Sequence, residues 1–181
     1  ILEVLRRVAA LPAKRVVEIG SLSGGTLALL AQAAAPDARL LSLDLAHVYP
    51  RLSAHPHLAR PGQVITCRDA DSHRPETVDA VRQWLRGEPL DVLFIDGDHS
   101  YAGVKADYEM YSPFVRPGGL IAFHDVNPDF RLRYGRPTIN DVGGVPRFWT
   151  ELSHGRAGCR TLVESDEQDG YGIGLIEVPG A

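Results

Sequence analysis

Cysteine, methionine and long apolar runs are scarce in this chain of 181 residues, which has two cysteines and a single methionine. No apolar stretch approaches the roughly 18 residues that a membrane span requires, and no basic, apolar and small-residue signal opens the sequence. Cys67 and Cys159 each lie inside an apolar segment, which favours two reduced core thiols over a disulfide and predicts a cytoplasmic setting. Positive charge is also short: 19 Lys and Arg against 23 Asp and Glu give a net charge of -4. Such a chain has no general attraction for a polyanion, so neither nucleic acid nor a membrane surface is expected as a partner. A small-molecule partner is favoured, and a homo-oligomer is left open. The dinucleotide fingerprint GxGxxG is missing, which counts against NAD. What is present, 44% hydrophobic and 23% charged residues, matches a folded globular domain and excludes disordered, collagen-like and coiled-coil chains. One domain over residues 1–181 is expected. The first residue is Ile1 rather than methionine, from which a preceding segment of the natural protein is expected.

Apolar residues at helical spacing, Leu2, Leu5 and Val8, predict an amphipathic helix ended by Pro12. Lys14 to Gly20, KRVVEIG, reads as a strand closed by glycine, and Thr26 to Ala35 as an alanine- and leucine-rich helix. Further strands are expected at Arg39 to Leu45, Gln63 to Cys67, Leu90 to Ile95 and Leu120 to Phe123, with helices at Pro75 to Arg86 and Tyr101 to Val115. Residues 46–62 and 126–144 read as irregular connections. A short helix over Pro146 to Leu152 and a closing strand pair, Arg160 to Glu164 with Ile173 to Val178, complete the chain. The alternation predicts an α/β fold: a Rossmann-like, seven-stranded, mostly parallel sheet with helices on both faces and an antiparallel final strand.

In such a sheet the ligand crevice lies beyond the carboxyl ends of the strands. The residues expected there are Glu18, Gly20 and the loop to Thr26, then Asp44, then Asp69 to Ser72, then Asp96 to His99, then His124 and Asp125. The string EIGSLSGGT brings free amides and close backbone approach to a helix start, which suits a carboxylate or phosphate. A ligand-free tight turn is the alternative. Asp44, at the next strand end, is placed to accept from both hydroxyls of a ribose, or else to act as a turn residue. Loop and acid together point to a nucleoside-containing cofactor.

The motifs VVEIGSLSGGT, LLSLDL and LDVLFIDGDHSYAGVKADYEMYSPFVRPGGLIAFHDV, with the later GVPRFW, resemble the class I S-adenosylmethionine-dependent methyltransferases. Within them the likeness is to catechol-type O-methyltransferases and more closely to the bacterial branch that modifies sugars and antibiotics. The resemblance implies that Glu18 and Thr26 hold the amino-acid end of S-adenosylmethionine near Gly20, Ser21 and Gly24, that Asp44 holds its ribose, and that Ala70, Asp71 and Ser72 flank its adenine. Asp96 is expected to face the cofactor as well.

Asp96 and Asp125 stand on what should be neighbouring strands about 4.8 Å apart, so their carboxylates can converge on one ion. Oxygen ligands at strand ends suit Mg²⁺. His124 stands where many relatives carry an acid, which predicts either the softer Mn²⁺ or a weakened metal site. His99, three residues past Asp96, is the expected general base beside Asp96. A helix-start histidine bonded to backbone is its alternative. His55 and His57 read as solvated loop residues, and His73 as part of a helix start. Arg131, Arg133 and Arg136 read as a solvated loop or as a clamp for an acidic acceptor, Phe130 and Tyr134 as acceptor-pocket walls, and Trp149 as core. The whole predicts a metal-assisted O-methyltransferase for a hydroxyl on a small molecule such as a sugar or natural product. A metal-independent N- or O-methyltransferase and a catalytically silent cofactor-binding module are the alternatives.

Overall fold

The computed structural model describes residues 1–45 and 52–180. The elements in chain order are α1 (Leu2–Ala10), β1 (Arg15–Ile19), α2 (Gly25–Ala33), β2 (Arg39–Asp44), a 3₁₀ turn (Leu52–Leu58), β3 (Val64–Asp69), α3 (Pro75–Leu85), β4 (Leu90–Ile95), α4 (Tyr101–Tyr111), β5 (Val115–His124), α5 (Phe130–Tyr134), α6 (Val145–Ser153), β6 (Cys159–Leu162) and β7 (Ile173–Glu177). The seven strands form one sheet in the order β3-β2-β1-β4-β5-β7-β6. Strands β1 to β5 run parallel, and β7 is antiparallel to both β5 and β6. The order reverses at β1, where β2 and β4 flank it. That reversal opens the crevice.

Period-two alternation sends successive side chains to opposite faces. Val17, Ile19, Leu93 and Phe123 pack with Trp84, Val104, Phe148 and Trp149 under α3, α4 and α6. Val16, Leu40, Val92 and Phe94 pack with Val4, Val8, Leu27 and Leu30 under α1 and α2. Trp149 is core as expected, and its indole N–H donates to Thr161.

Several expectations shift, among them the fifth strand, which begins at Val115 instead of Leu120 and so takes in residues read as a helix end and a turn. The third strand begins and ends later than read, at Val64–Asp69. Of the connection expected at 46–62, residues 46–51 lie outside the described residues, and Leu52–Leu58 form a 3₁₀ turn around Pro56. Residues 126–144 are not wholly irregular, because Asp129 accepts the Leu132 amide and caps the short helix α5. Among the described residues no helix is long and apolar enough to cross a membrane.

Candidate active site

Parallel registry brings the strand ends into one rank. Ile19 pairs with Leu43 and with Ile95, and Ile95 pairs with Phe123. One residue beyond each pair, Gly20 therefore stands beside Asp44 and Asp96, and Asp96 beside His124. The joint is close: a Cβ built on Gly20, whose φ is +79°, would lie 2.0 Å from the Asp96 carbonyl oxygen. Only glycine fits there.

A cavity of about 690 Å³ runs along this rank, lined by Gly20, Asp44, Ala70, Asp71, Ser72, Asp96, His99, His124 and Asp125 together with apolar Ile19, Leu22, Leu43 and Leu45. Of the expected cofactor residues, Glu18, Ser21, Gly24 and Thr26 are not in its wall. Ser21 and Glu18 are buried behind it, and Gly24, with φ +82°, packs against His55 and Leu58.

Asp44 is fastened to backbone. Its Oδ2 accepts from the amides of Ser21 and Leu22, each at 2.7 Å, and from the Ser21 hydroxyl, while Oδ1 accepts from the Leu45 amide. A carboxylate offers about four acceptor sites, so the glycine loop takes most of one oxygen and the free capacity is on Oδ1. The Asp44 carboxylate is thus a loop anchor as well as a ribose candidate.

Glu18, on the sheet face shared with Val16 and α2, is 0% exposed, and neither carboxylate oxygen has a hydrogen-bond partner among the described residues. Burial, and then the charges of Asp96 and Asp44, hold its pKa well above the ordinary range. Burial thus favours its uncharged form, and only a cation placed beside it would restore the charge.

At the β4 and β5 ends, four side chains meet. The ligand atoms of Asp96, His124 and Asp125 lie within 4.8 Å of one another. His124 Nδ1 stands 3.4 Å from Asp96 and 3.1 Å from Asp125, and His99 pairs with Asp96 through Nε2 at 3.3 Å and with Asp125 through Nδ1 at 3.5 Å. Asp125 adopts a left-handed backbone, φ +59°, a conformation that Asp tolerates better than most residues. The pairing polarises all of them. Burial opposes the Asp96 charge, but the His124 and His99 hydrogen bonds hold its pKa below the usual value. The Asp96 bond lifts His99 to about 9. Burial pulls His124 down, yet Asp125 and Asp96 carry it to about 10. His99 Nδ1 also contacts the Asp141 carbonyl at 2.5 Å, so a neutral His99 keeps its proton on Nδ1 and turns an acceptor, Nε2, toward Asp96.

Several supporting residues went unread in the sequence. His55, expected in solvent, is 3% exposed: its Nδ1 lies 3.5 Å from the Ser21 hydroxyl, and its pKa is lowered, chiefly by burial. His57 is exposed as expected. Helix α4 carries the Tyr111 hydroxyl, which donates to the Ser72 carbonyl at 2.7 Å, and the fully buried Asp107, whose Oδ1 is 3.3 Å from His73 Nε2. Burial raises the Asp107 pKa. Both residues hold the Asp71–His73 loop against the helix that follows His99. Nothing local marks Asp107, because its partner is 34 residues away.

The strand order, with the glycine joint at its reversal, defines a Rossmann-like protein with a crevice at the strand ends. The chain belongs to the methyltransferase domain family, whose model matches residues 17–126. It is 30% identical over 90 residues to the uncharacterised protein y4gI of Sinorhizobium fredii, a match that spans 49% of this chain and only 8% of that protein. In fold it is similar to the O-methyltransferase TomG of Streptomyces achromogenes, involved in tomaymycin synthesis and solved with S-adenosylmethionine, with a TM-score of 0.63, 23% identity, and 98% of this chain and 79% of that one covered. It is also similar to an O-methyltransferase of Bacillus cereus solved with S-adenosylhomocysteine, with a TM-score of 0.66, 22% identity, and coverage of 96% and 79%.

Proposed function

We propose that the protein is an S-adenosylmethionine-dependent O-methyltransferase acting on a hydroxyl of a small molecule. The observation that carries this reading is the single cavity joining Gly20 and Asp44 at one end to His99, Asp96, His124 and Asp125 at the other. A sulfonium cofactor and a hydroxyl acceptor have to meet in one enclosed space, and here a cradle for the first abuts a proton-handling cluster for the second. The cofactors held by TomG and by the Bacillus cereus enzyme support the first half.

The residues fit the cofactor. Glu18 is a buried carboxylate lacking a hydrogen-bond partner, suited to an ammonium or sulfonium charge nearby. Asp44 Oδ1 retains capacity for a ribose hydroxyl, and Ala70, Asp71 and Ser72 offer small groups for the adenine edge. Ser21 and Gly24 shape from behind the loop that presents Gly20, and Thr26 lies in the first turn of α2 that follows. Asp96, Asp125 and His124 fit a divalent cation: metal–oxygen bonds of about 2.1 Å put neighbouring ligands about 3 Å and opposite ones about 4 Å apart, and the three ligand atoms lie within 4.8 Å of one another. Two carboxylates and an imidazole suit Mn²⁺ as well as Mg²⁺. Such an ion, when bound, acidifies and orients the acceptor hydroxyl and disfavours the extra proton on the imidazoles.

In the reaction the acceptor oxygen attacks the methyl carbon in line, the sulfur–carbon bond breaks with its electron pair left on sulfur, and His99, in its neutral form, receives the hydroxyl proton on Nε2. Orientation supplies most of the rate, because the sulfonium is reactive once aligned. A metal-free version is favoured by one observation: His99 and His124 already pair with both acids. Two unpaired thiols, Cys67 and Cys159, fit a cytoplasmic setting.

The test is formation of S-adenosylhomocysteine from S-adenosylmethionine over a hydroxyl-bearing library, with Mg²⁺, with Mn²⁺ and after exhaustive chelation. Transfer that disappears with the chelator and returns with either ion supports the metal-assisted form. Undiminished transfer after chelation supports the metal-free form. No transfer to any acceptor, with the cofactor bound, overturns the enzyme reading.

A further inference from the structure

Two of the arginines in the segment 126–144 are engaged within the protein. Arg133 donates to the carbonyls of Pro128, Asp166 and Gln168 and to Asn127 Oδ1, and Arg131 donates to the Asn140 carbonyl. These bonds, with others from the same segment, build a scaffold around the β6–β7 connection. Asn127 Nδ2 donates to the carbonyls of Gln168 and Gly170, Asn140 Nδ2 donates to the Asp169 carbonyl, and the Phe130 amide and Thr138 hydroxyl donate to the Asp169 carboxylate. The Asn127 amide then donates to the Tyr171 carbonyl at 2.9 Å. Every residue from Gln168 to Tyr171 is tied.

What this scaffold holds is a strained aromatic residue. Tyr171 has φ +54°, between Gly170 at +68° and Gly172 at +79°. Glycine takes the left-handed region freely, whereas a bulky side chain there is an outlier that persists only when its surroundings over-determine it. If the strain served packing, the ring would be buried. It is instead 50% exposed, its hydroxyl has no hydrogen-bond partner among the described residues, and its ring meets His124 edge-on, with centroids 6.0 Å apart and planes at 71°. The half-exposed ring thus stands next to His124 of the acid–histidine cluster, just outside the residues that line the cavity.

We propose that Tyr171 is a specificity-determining wall of the acceptor site, selecting an acceptor whose hydroxyl is carried on a ring with a flat apolar face and stacking that ring so that the hydroxyl reaches Asp96, His124 and Asp125. This inference rests on the methyltransferase reading. Two sources share the chemistry: a phenol, which stacks π-face to π-face, and a pyranose, which lays its C–H face on the ring.

The experiment uses the whole chain saturated with S-adenosylhomocysteine, whose binding is first measured by calorimetry, and reads acceptor contact by saturation-transfer NMR. The probes are catechol and 3,4-dihydroxybenzoate in one arm, methyl glucopyranoside and methyl rhamnopyranoside in the other. Whichever probe binds is then assayed for KM and kcat with S-adenosylmethionine. Y171G removes the ring while relieving the backbone, so it is expected to keep the melting temperature or raise it and to leave cofactor affinity within about twofold. Its acceptor KM should rise about tenfold, with kcat changed less than about threefold, and the NMR signal should fade. Y171F, which keeps the face, should stay within about twofold of the natural chain on both readouts. Contact with the phenols alone assigns a phenolic acceptor, and contact with the pyranosides alone assigns a sugar. An unchanged KM in Y171G, or contact with neither arm while S-adenosylhomocysteine binds, overturns the role given to Tyr171. Failure of S-adenosylhomocysteine itself to bind overturns the methyltransferase reading on which it rests.

Discussion

Two carboxylate sites share one edge of the sheet and are held in opposite ways. Asp44 is bound by the amides of Ser21, Leu22 and Leu45, donors that belong to the backbone and keep their protons. Asp96 and Asp125 are bound by the imidazoles of His99 and His124, donors that can lose a proton or swing away. The first arrangement is fixed architecture, suited to a ligand that always docks in one pose. The second is exchangeable, suited to a site where a cation, an acceptor hydroxyl or a proton replaces one partner with another. Gly20 is where the two abut.

That contrast can be broken at its joint. In Gly20→Ala a Cβ 2.0 Å from the Asp96 carbonyl oxygen forces the two strand ends apart at a left-handed position, and a loss of more than about 3 kcal/mol is expected in denaturant unfolding. Asp44→Ala leaves the loop amides without their acceptor. It should cost about 1–3 kcal/mol of stability and weaken S-adenosylmethionine binding about 100-fold, while cluster chemistry, assayed at saturating cofactor, persists. Asp125→Asn is the converse. Asn accepts the left-handed backbone, so the fold and cofactor affinity should hold, the latter within about twofold, while stimulation by Mg²⁺ or Mn²⁺ disappears from the transfer assay.

The same contrast has a pH signature. His99 and His124 titrate near 9 and 10 in the fold, above the ordinary value of about 6.5 in the unfolded chain. Their stabilisation is fully present below about 6.5 and is lost as pH climbs through 9 to 10. In metal-free buffer the melting temperature should therefore fall between pH 7 and 10, and a double His99→Gln, His124→Gln variant should flatten that limb. The smallest effect is expected at Asp107, whose folded pKa is raised by burial. Its charge destabilises the fold above that pKa, and the penalty fades as pH falls and the carboxyl takes up its proton. Asp107→Asn should raise the melting temperature by a few degrees at pH 8 and leave it unchanged near pH 4.

Much of this was legible in the residues themselves. Near-continuous apolar runs such as LDVLFI lie in strands buried on both faces, and the unbroken run records that burial directly. The strand-end acids follow from registry alone, because in a parallel sheet each residue after the last pair must reach the same edge. The partnerships were not legible. Asp44 gives an oxygen to the glycine loop instead of keeping both for a ligand. His55 is buried by the loop it supports. Arg133 spends its donors on carbonyls around the β6–β7 connection. Each of these is set by a contact between segments distant in sequence, and a hydrogen bond leaves no periodic trace. The strain at Tyr171 was equally silent, although a bulky residue between Gly170 and Gly172 is a local pattern to look for beside an active site.

The Gly20–Asp44 end of the cavity is expected to bind S-adenosylmethionine independently of the acid–histidine end. Calorimetric titration of the cofactor into the natural chain, Asp44→Ala and Asp125→Asn, all in chelator, tests it most directly. A saturating one-site isotherm is expected for the natural chain and for Asp125→Asn, and a loss of about 100-fold in affinity for Asp44→Ala. A folded natural chain that gives no binding heat at any of several temperatures, or an Asp44→Ala variant that binds as tightly as the natural chain, would contradict it.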